Sequence, residues 1–145
     1  MELMLFRISH RLYSWGFKPA SRALDLINRL VLGAHVPGSC DIGRGTQLAY
    51  GGSGVVLHKD AVLGKDCVIS PGVVVGGRGG HQRVPVIGDR VKLWPGAKVL
   101  GPIRIGDDCE IGANAVVVGD LAPGSIVVSP TAQFLRNKLN RDTAN

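Results

Sequence analysis

Histidine side chains give this sequence its clearest means of moving a proton near neutral pH. Beyond the N-terminal segment they occur at His35, His58 and His81. Three histidines that meet at one point can also hold a catalytic metal ion, but the positions of these three in the repeat described below do not converge. Whether any of them works as a base therefore depends on the elements that place it.

The composition predicts what kind of elements these are. Among 145 residues there are 21 glycines, 45% of the residues are apolar and only 5% are aromatic. The apolar share excludes a disordered tail, and glycine without a three-residue period excludes collagen. A glycine-rich, aromatic-poor chain of one-domain length needs many tight turns around thin aliphatic layers, which indicates a repeat protein.

Charge and cysteine content narrow the class further. The formal net charge of +6 is dispersed, with no run of Lys or Arg, so nucleic acid is not an expected partner. The cysteines are widely spaced and form no CxxC pair: Cys40, Cys67 and Cys109. This spacing disfavours a disulfide framework or a zinc ribbon and is typical of a reducing cytosol. Because no apolar stretch reaches the roughly 20 residues of a membrane span, we expect a cytoplasmic protein.

Beyond the N-terminal segment an aliphatic anchor residue recurs every six positions. The anchors are Val36, Ile42, Leu48, Leu57, Leu63, Ile69, Val75, Ile87, Leu93, Val99, Ile105, Ile111 and Val117. A small or β-branched residue stands four positions after most anchors, and we expect Cys67 and Cys109 to be packing residues of this kind. A six-residue period is the signature of a parallel β-helix. Three hexads make one triangular coil of eighteen residues, so Val75, Leu93 and Ile111 are expected to share a column.

The six-residue period fails at two places. The step from Leu48 to Leu57 is nine residues and the step from Val75 to Ile87 is twelve, and both pass through glycine-rich segments. A hexad that placed His81 in an anchor column would bury an unpaired imidazole, so we expect the second segment to protrude as a loop. Functional residues concentrate in such excursions from a rigid scaffold.

The N-terminal residues follow helical spacing instead. They predict two short helices with a break near Gly16 and a stop at Gly33. Such an amphipathic pair either lies on a membrane or packs against the rest of the protein or a partner subunit. We expect packing, because a membrane-surface helix shows a one-sided basic face. The polar positions of the second helix are mixed: Arg22, Asp25, Asn28 and Arg29.

The ordered blocks around the two excursions resemble the serine acetyltransferase family over about residues 34–130. The blocks are 41–45 (DIGRG), 51–58 (GGSGVVLH), 73–80 (VVVGGRGG), 85–89 (PVIGD), 96–106 (GAKVLGPIRIG) and 111–117 (IGANAVV). The resemblance implies an all-β solenoid, a left-handed parallel β-helix of hexapeptide repeats. Its expected parts are a short N-terminal helical segment (1–33), the β-helix acetyltransferase domain (34–130) and a C-terminal cap or tail (131–145).

The resemblance also implies an activity, a cosubstrate and an assembly. Members of the family transfer an acetyl group from acetyl-CoA to a hydroxyl acceptor, and they assemble as homotrimers with the cosubstrate in the groove between subunits. No metal is expected. By position, Arg83 belongs to the acceptor site and is suited to a carboxylate or a phosphate. The expected CoA-binding residues are Gly76, Gly77, Arg78, Pro95, Ala97 and Ala113.

The catalytic positions of the family are substituted in this chain. Tyr50 stands where the family has its catalytic histidine, and His35 stands where that histidine has its aspartate partner. A phenol is a poor base at neutral pH. The base is therefore expected to be His35, with Tyr50 as a hydrogen-bond donor, or else His58 or His81. A third interpretation is a catalytically impaired paralogue that serves as a CoA-binding or structural trimeric scaffold.

The acceptor is open as well. In the family's Arg-His-Pro stretch the histidine is replaced by Val84, and the acidic contacts that would hold an ammonium group are gone. L-serine is the acceptor that the family implies. A sugar hydroxyl of a surface-polysaccharide precursor is the alternative.

Overall fold

The computed structural model describes residues 3–133 of the chain, apart from the side chains of Leu5 and Leu32. The C-terminal helical cap predicted within 131–145, at residues 134–139, lies outside the described residues. The N-terminal segment forms two helices, α1 (Leu3–Ser14) and α2 (Lys18–Leu32), as predicted. Gly33 ends α2 in the left-handed conformation, at φ 63°, and its N–H donates to the Arg29 carbonyl at 3.1 Å.

Short strands of two or three residues follow the helices. They are β1 (Asp41–Ile42), β2 (Gln47–Leu48), β3 (Val56–Leu57), β4 (Val62–Leu63), β5 (Val68–Ile69), β6 (Val74–Gly76), β7 (Val86–Ile87), β8 (Lys92–Leu93), β9 (Lys98–Leu100), β10 (Arg104–Ile105), β11 (Glu110–Ile111), β12 (Val116–Val117) and β13 (Ile126–Val127). They pair in parallel into three sheets. The first sheet has the order β1-β4-β7-β10, the second β2-β5-β8-β11-β13 and the third β3-β6-β9-β12. The chain visits the three sheets in turn, which confirms the predicted triangular solenoid.

The anchors form the core. All of them are buried except Ile42, which is partly buried, and each fully buried Leu, Ile or Val contributes roughly 1.5–3 kcal/mol. The predicted small positions are buried too, Cys67 and Cys109 included, which confirms their role in packing. Desolvation raises the pKa of the Cys67 thiol, and at Cys40 it raises the pKa to about 12. These thiols are therefore protonated and shielded at neutral pH.

The expected column of Val75, Leu93 and Ile111 is wrong. Leu93 pairs with Ile111 in the second sheet, but Val75 pairs with Leu57 and Val99 in the third. The reason is that the twelve residues after Val75 do not cross two faces of the triangle. They form one enlarged corner, so the partner of Val75 in the next coil comes 24 residues later.

Both excursions lie at the edges of the third sheet. The first contains a 3₁₀ turn, Ala49–Gly52, at the corner where the chain passes from the second sheet to the third. The second, residues 77–83, is exposed at the corner between the third sheet and the first, which confirms a protruding loop that carries His81. The third sheet is thus bordered by one excursion on each side.

The helices close the solenoid at its N-terminal end through apolar and polar contacts. Leu3 and Phe6 of α1 are buried with the core. Ser9 Oγ donates to Asp25 Oδ1 at 2.6 Å, and the Gly38 N–H donates to both Asp25 carboxylate oxygens at 3.2 Å. Asp25 therefore ties α1, α2 and the segment that leads from His35 into the first coil. Within the described residues, neither helix is long and apolar enough to cross a membrane.

Candidate active site

An open groove of about 350 Å³ lies on the outer side of the third sheet, at its N-terminal end. The residues that line it come from the segment before β1, from β3 with the corner after it, and from β6: His35, Val56, Leu57, His58, Lys59, Val74, Val75 and Gly76. Two of the three candidate histidines therefore share one site.

Backbone pairing positions the two imidazoles. His35 forms a parallel bridge with Val56: its N–H donates to the Val55 carbonyl at 2.7 Å, and its own carbonyl accepts the Leu57 N–H at 2.8 Å. Because side chains alternate along a strand, the buried Leu57 leaves His58 facing outward. His58 is then a diagonal neighbour of His35, about 8 Å away between Cα atoms on the usual strand spacing and rise. Both rings can reach one substrate.

Asp60 holds the His58 ring at the corner after β3. The Asp60 backbone N–H donates to His58 Nδ1 at 3.2 Å, so in this arrangement Nδ1 is an acceptor and Nε2 carries the proton. An Asp60 carboxylate oxygen lies 3.7 Å from the same nitrogen. It forms an ion pair with the His58 ring only when the ring is protonated. Neutral His58 thus offers a hydrogen-bond donor at Nε2.

Gly76 keeps the groove open beside His58. It is the last residue of β6, and in the register of the sheet it lies next to His58. A Cβ at this position would meet Leu100 Cδ2 at 3.9 Å, an ordinary contact, so nothing in the fold requires glycine there. The missing side chain therefore leaves a space that a ligand can use, which fits the CoA-binding role implied for Gly76. We call this space the Gly76 cradle.

Replacement of Gly76 by alanine is expected to leave the fold intact and to raise the KM for acetyl-CoA by about tenfold. The methyl group would occupy the cradle, and overpacking of a close contact costs about 1–3 kcal/mol. Steady-state kinetics and a thermal melt on the same sample measure the two effects. Gly79→Ala is the matched control, because a Cβ there meets no atom within 4 Å. An unchanged KM in Gly76→Ala would argue against a ligand at this cradle.

The three remaining catalytic or acceptor candidates lie in the excursions. Tyr50 is 88% exposed, adopts the left-handed conformation at φ 51° and does not line the groove. His81 and Arg83 are exposed in the second excursion. In one copy of the chain, then, the structure brings His35 and His58 together and leaves these three outside the groove.

The other CoA-binding candidates divide between the two borders of the third sheet. Gly77 and Arg78 follow Gly76 at one border, where the Arg78 side chain lies across Gly101 in the next coil. Pro95 and Ala113 are exposed at the other border. With six residues between corners, the borders are roughly 20 Å apart.

Ala97 differs from these candidates because it is fully buried. Its N–H donates to the Trp94 carbonyl and its carbonyl accepts the Val74 N–H, both at 3.0 Å. Its backbone groups are therefore already used within the solenoid, and its small side chain shapes the coil behind the third sheet.

Lys59 of the groove and Asp60 beside the groove were not singled out from the sequence. Lys59 adds a positive charge beside His58, and Asp60 fixes the His58 ring. The signal that points to Asp60 is the spacing His-x-Asp directly after an anchor, since a corner folds such a pair together. Within residues 3–133, no three His, Cys, Asp or Glu side chains are grouped as metal ligands.

The comparisons with known proteins place this solenoid in the hexapeptide-repeat class of transferases. A sequence model of the family described as "Bacterial transferase hexapeptide (six repeats)" matches residues 85–119. The serine acetyltransferase of Helicobacter pylori is 41% identical over 135 residues, which cover 92% of this chain and 78% of that protein. The chain belongs to the serine acetyltransferase family.

Solved structures of the family superpose on the whole solenoid. Serine acetyltransferase isoform 3 of Entamoeba histolytica, in complex with cysteine, is 33% identical with a TM-score of 0.83 and covers 94% of this chain. The Brucella abortus enzyme in complex with coenzyme A is 28% identical with a TM-score of 0.84 and covers 90%. The left-handed β-helix is thereby confirmed. This chain spans only about half of each of these solved chains, 50% and 53%.

Proposed function

We propose that this protein is an acetyl-CoA-dependent O-acetyltransferase in which His35 is the general base. The observation that carries the proposal is the groove in which two imidazoles stand beside the Gly76 cradle. The serine acetyltransferase relatives and the coenzyme A complex among them support the cosubstrate. The net charge of +6 suits the phosphates of CoA, and Lys59 and Arg78 lie close to the cradle.

The groove divides the chemistry between its two histidines. His35 accepts the proton of the acceptor hydroxyl while the oxygen forms a bond to the thioester carbonyl carbon. His58 donates its Nε2–H to the oxyanion that forms. When the carbon–sulfur bond breaks, the CoA thiolate takes the proton from His35, and the acetyl ester and free CoA leave. Each proton and bond is thereby accounted for without a further reactant.

His58 is the poorer base because Asp60 uses its Nδ1. With that nitrogen accepting the Asp60 N–H, the neutral ring has no lone pair left at Nε2 for the acceptor proton. The pairing seen for His35 involves only its backbone, through Val55 and Leu57, and its ring is exposed. These contacts support His35 as the base and His58 as the donor.

A homotrimer accounts for the two separated sets of CoA-binding candidates. In one chain Gly76 and Arg78 lie across the width of the third sheet from Pro95 and Ala113. Copies related by a three-fold axis bring one border of the sheet against the opposite border of a neighbour, which completes one groove from both sets. The apolar outer residues Val56 and Val116 would then be covered.

The acceptor is a hydroxyl compound, and two classes have support. L-serine is favoured by the names of the relatives. A neutral acceptor such as a sugar is favoured by the groove itself, because its lining contains the cation Lys59 and no carboxylate to hold an ammonium group. Arg83, in the adjacent loop, is available to the carboxylate of L-serine.

Thiol release from acetyl-CoA with a panel of acceptors tests the proposal. Because its cysteines are buried, the protein itself should not react with the thiol reagent that detects free CoA. We expect turnover with L-serine or with a sugar hydroxyl, and product mass spectrometry identifies the ester. CoA binding measured by calorimetry without turnover for any acceptor would contradict the proposal. That result would favour the interpretation as a CoA-binding scaffold, which the substitutions at the Tyr50 and His35 positions also support.

A further inference from the structure

Helix α2 has its polar side inside and its apolar side outside. Ser21 and Asn28 are buried against the rest of the molecule, and Asp25 faces the same way. The outer side carries four exposed aliphatic residues: Leu26, Ile27, Leu30 and Val31. Leu30 and Val31 are 77% and 70% exposed, the reverse of what a surface helix of a globular protein shows. We call these four residues the apolar ridge.

A row of cations borders the ridge on one side. Lys18, Arg22 and Arg29 are spaced i, i+4 and i+11, which places them on one edge of the helix. The acidic residue of this helix does not interrupt the row, because the Asp25 carboxylate is bound by Ser9 and by the Gly38 N–H on the inner side. The polar residues that appeared mixed in the sequence therefore lie on two different faces of α2. Asp25 and Asn28 face inward, and the charged residues of the outer side are all basic.

Exposed aromatic residues lie around the turn between the helices, beside the N-terminal end of α2. Tyr13, Trp15 and Phe17 are exposed there, Trp15 by 71%, with Lys18 directly after them. Aromatic rings beside cations are the composition of proteins that sit at a lipid–water interface.

We propose that the helical hairpin of α1 and α2 docks on the surface of an anionic phospholipid bilayer. The apolar ridge and the aromatic turn enter the interface, and Lys18, Arg22 and Arg29 contact the headgroups. A second copy of the ridge is the weaker occupant, because it offers no carboxylate to the cation row: Asp25 is the acidic residue of α2, and it is bound on the inner side. This docking does not take part in acetyl transfer; it would place the reaction at the membrane surface.

Cosedimentation with vesicles of phosphatidylcholine containing about one-third phosphatidylglycerol tests the proposal. We expect the protein to bind these vesicles, not to bind vesicles of pure phosphatidylcholine, and to be released by high salt. The Arg22→Gln/Arg29→Gln variant should bind about twenty-five-fold more weakly, since each cation near the surface contributes a factor of about five. Leu30→Glu should bind at least tenfold more weakly.

The matched control is Ile126→Glu, at an equally exposed aliphatic position, 73%, at the opposite end of the second sheet. It should bind vesicles like the wild type, and all variants should keep the wild-type rate of thiol release. The double Gln variant leaves the ridge intact and decides the matter if Leu30→Glu does not fold.

Three results would overturn the proposal. The first is a wild type with no preference for anionic vesicles. The second is undiminished binding by both Leu30→Glu and the Arg22→Gln/Arg29→Gln variant. The third is a wild-type assembly that Leu30→Glu dissociates in sedimentation velocity, which would assign the ridge to a second copy.

Discussion

Replacement of His35 by glutamine is expected to lower kcat for acetyl transfer by roughly a thousandfold, the usual contribution of a positioned base. Glutamine keeps a polar side chain of similar reach but accepts no proton. The backbone pairing of residue 35 with Val55 and Leu57 does not depend on the side chain, so the strand end should stay in place. The KM for acetyl-CoA should change little, because the cradle at Gly76 is untouched. Thiol release under saturating acceptor measures the loss.

The pH profile separates the two histidines. Loss of the base should remove the rise of kcat/KM with pH, and a residual rate with little pH dependence should remain in His35→Gln. His58→Ala, which leaves no side-chain N–H at this position, should lose roughly a hundredfold in kcat, as for removal of one oxyanion donor, while it keeps the pH-dependent rise. The reverse pattern, or abolition of turnover by His81→Gln alone, would contradict the assignment of His35 as base.

The repeat was readable from the sequence because its signal is purely local. An anchor such as Leu93 must face inward wherever the chain turns every six residues, and a loop such as 77–83 must leave the coil if His81 is not to be buried. The hand of the solenoid is a different matter, because a six-residue period is the same for either hand. That prediction depended on the family resemblance.

The errors arose where position depends on distant parts of the chain. The column of Val75 was misplaced because a twelve-residue step has the same length whether it crosses two faces or bulges from one corner. The inversion of α2 was missed because helical periodicity separates two faces without saying which one is inside. That choice is made by Asp25, whose partners Ser9 and Gly38 lie on other segments.

The active-site groove shows the same limit. Each histidine was identified by residue type, but nothing local says that His35 lies diagonally beside His58. Their proximity follows from parallel pairing between residues 21 positions apart, with the nine-residue excursion in between. The family pattern directed attention to Tyr50, whereas the pairing directs it to His58.

Replacement of Gly64 by alanine is expected to destabilise the solenoid by about 2–3 kcal/mol. Gly64 follows the anchor Leu63, and its φ is not in the left-handed region, so conformational strain is not the cause. The cause is close approach, because a Cβ there would collide with the backbone of Gly88 and with the Asp89 carboxylate in the next coil. Neighbouring coils would have to separate, and a solenoid depends on contacts between neighbours.

Urea unfolding at fixed protein concentration measures the loss, because subunit assembly would make the midpoint depend on concentration. Gly119→Ala is the matched control: a Cβ there meets no atom within 4 Å, so the expected change is within about 0.5 kcal/mol. Equal losses in the two variants would mean that close coil packing is not what requires Gly64.

The Asp89 carboxylate also accepts the Lys65 N–H at 2.8 Å, so the collision breaks a bond between coils as well as their packing. Since Gly64 lies at the corner between the first and second sheets, away from the groove, its alanine variant should keep near-wild-type turnover below its unfolding midpoint. Stability lost with catalysis retained would show that the corner glycines maintain the scaffold and that the groove on the third sheet performs the chemistry.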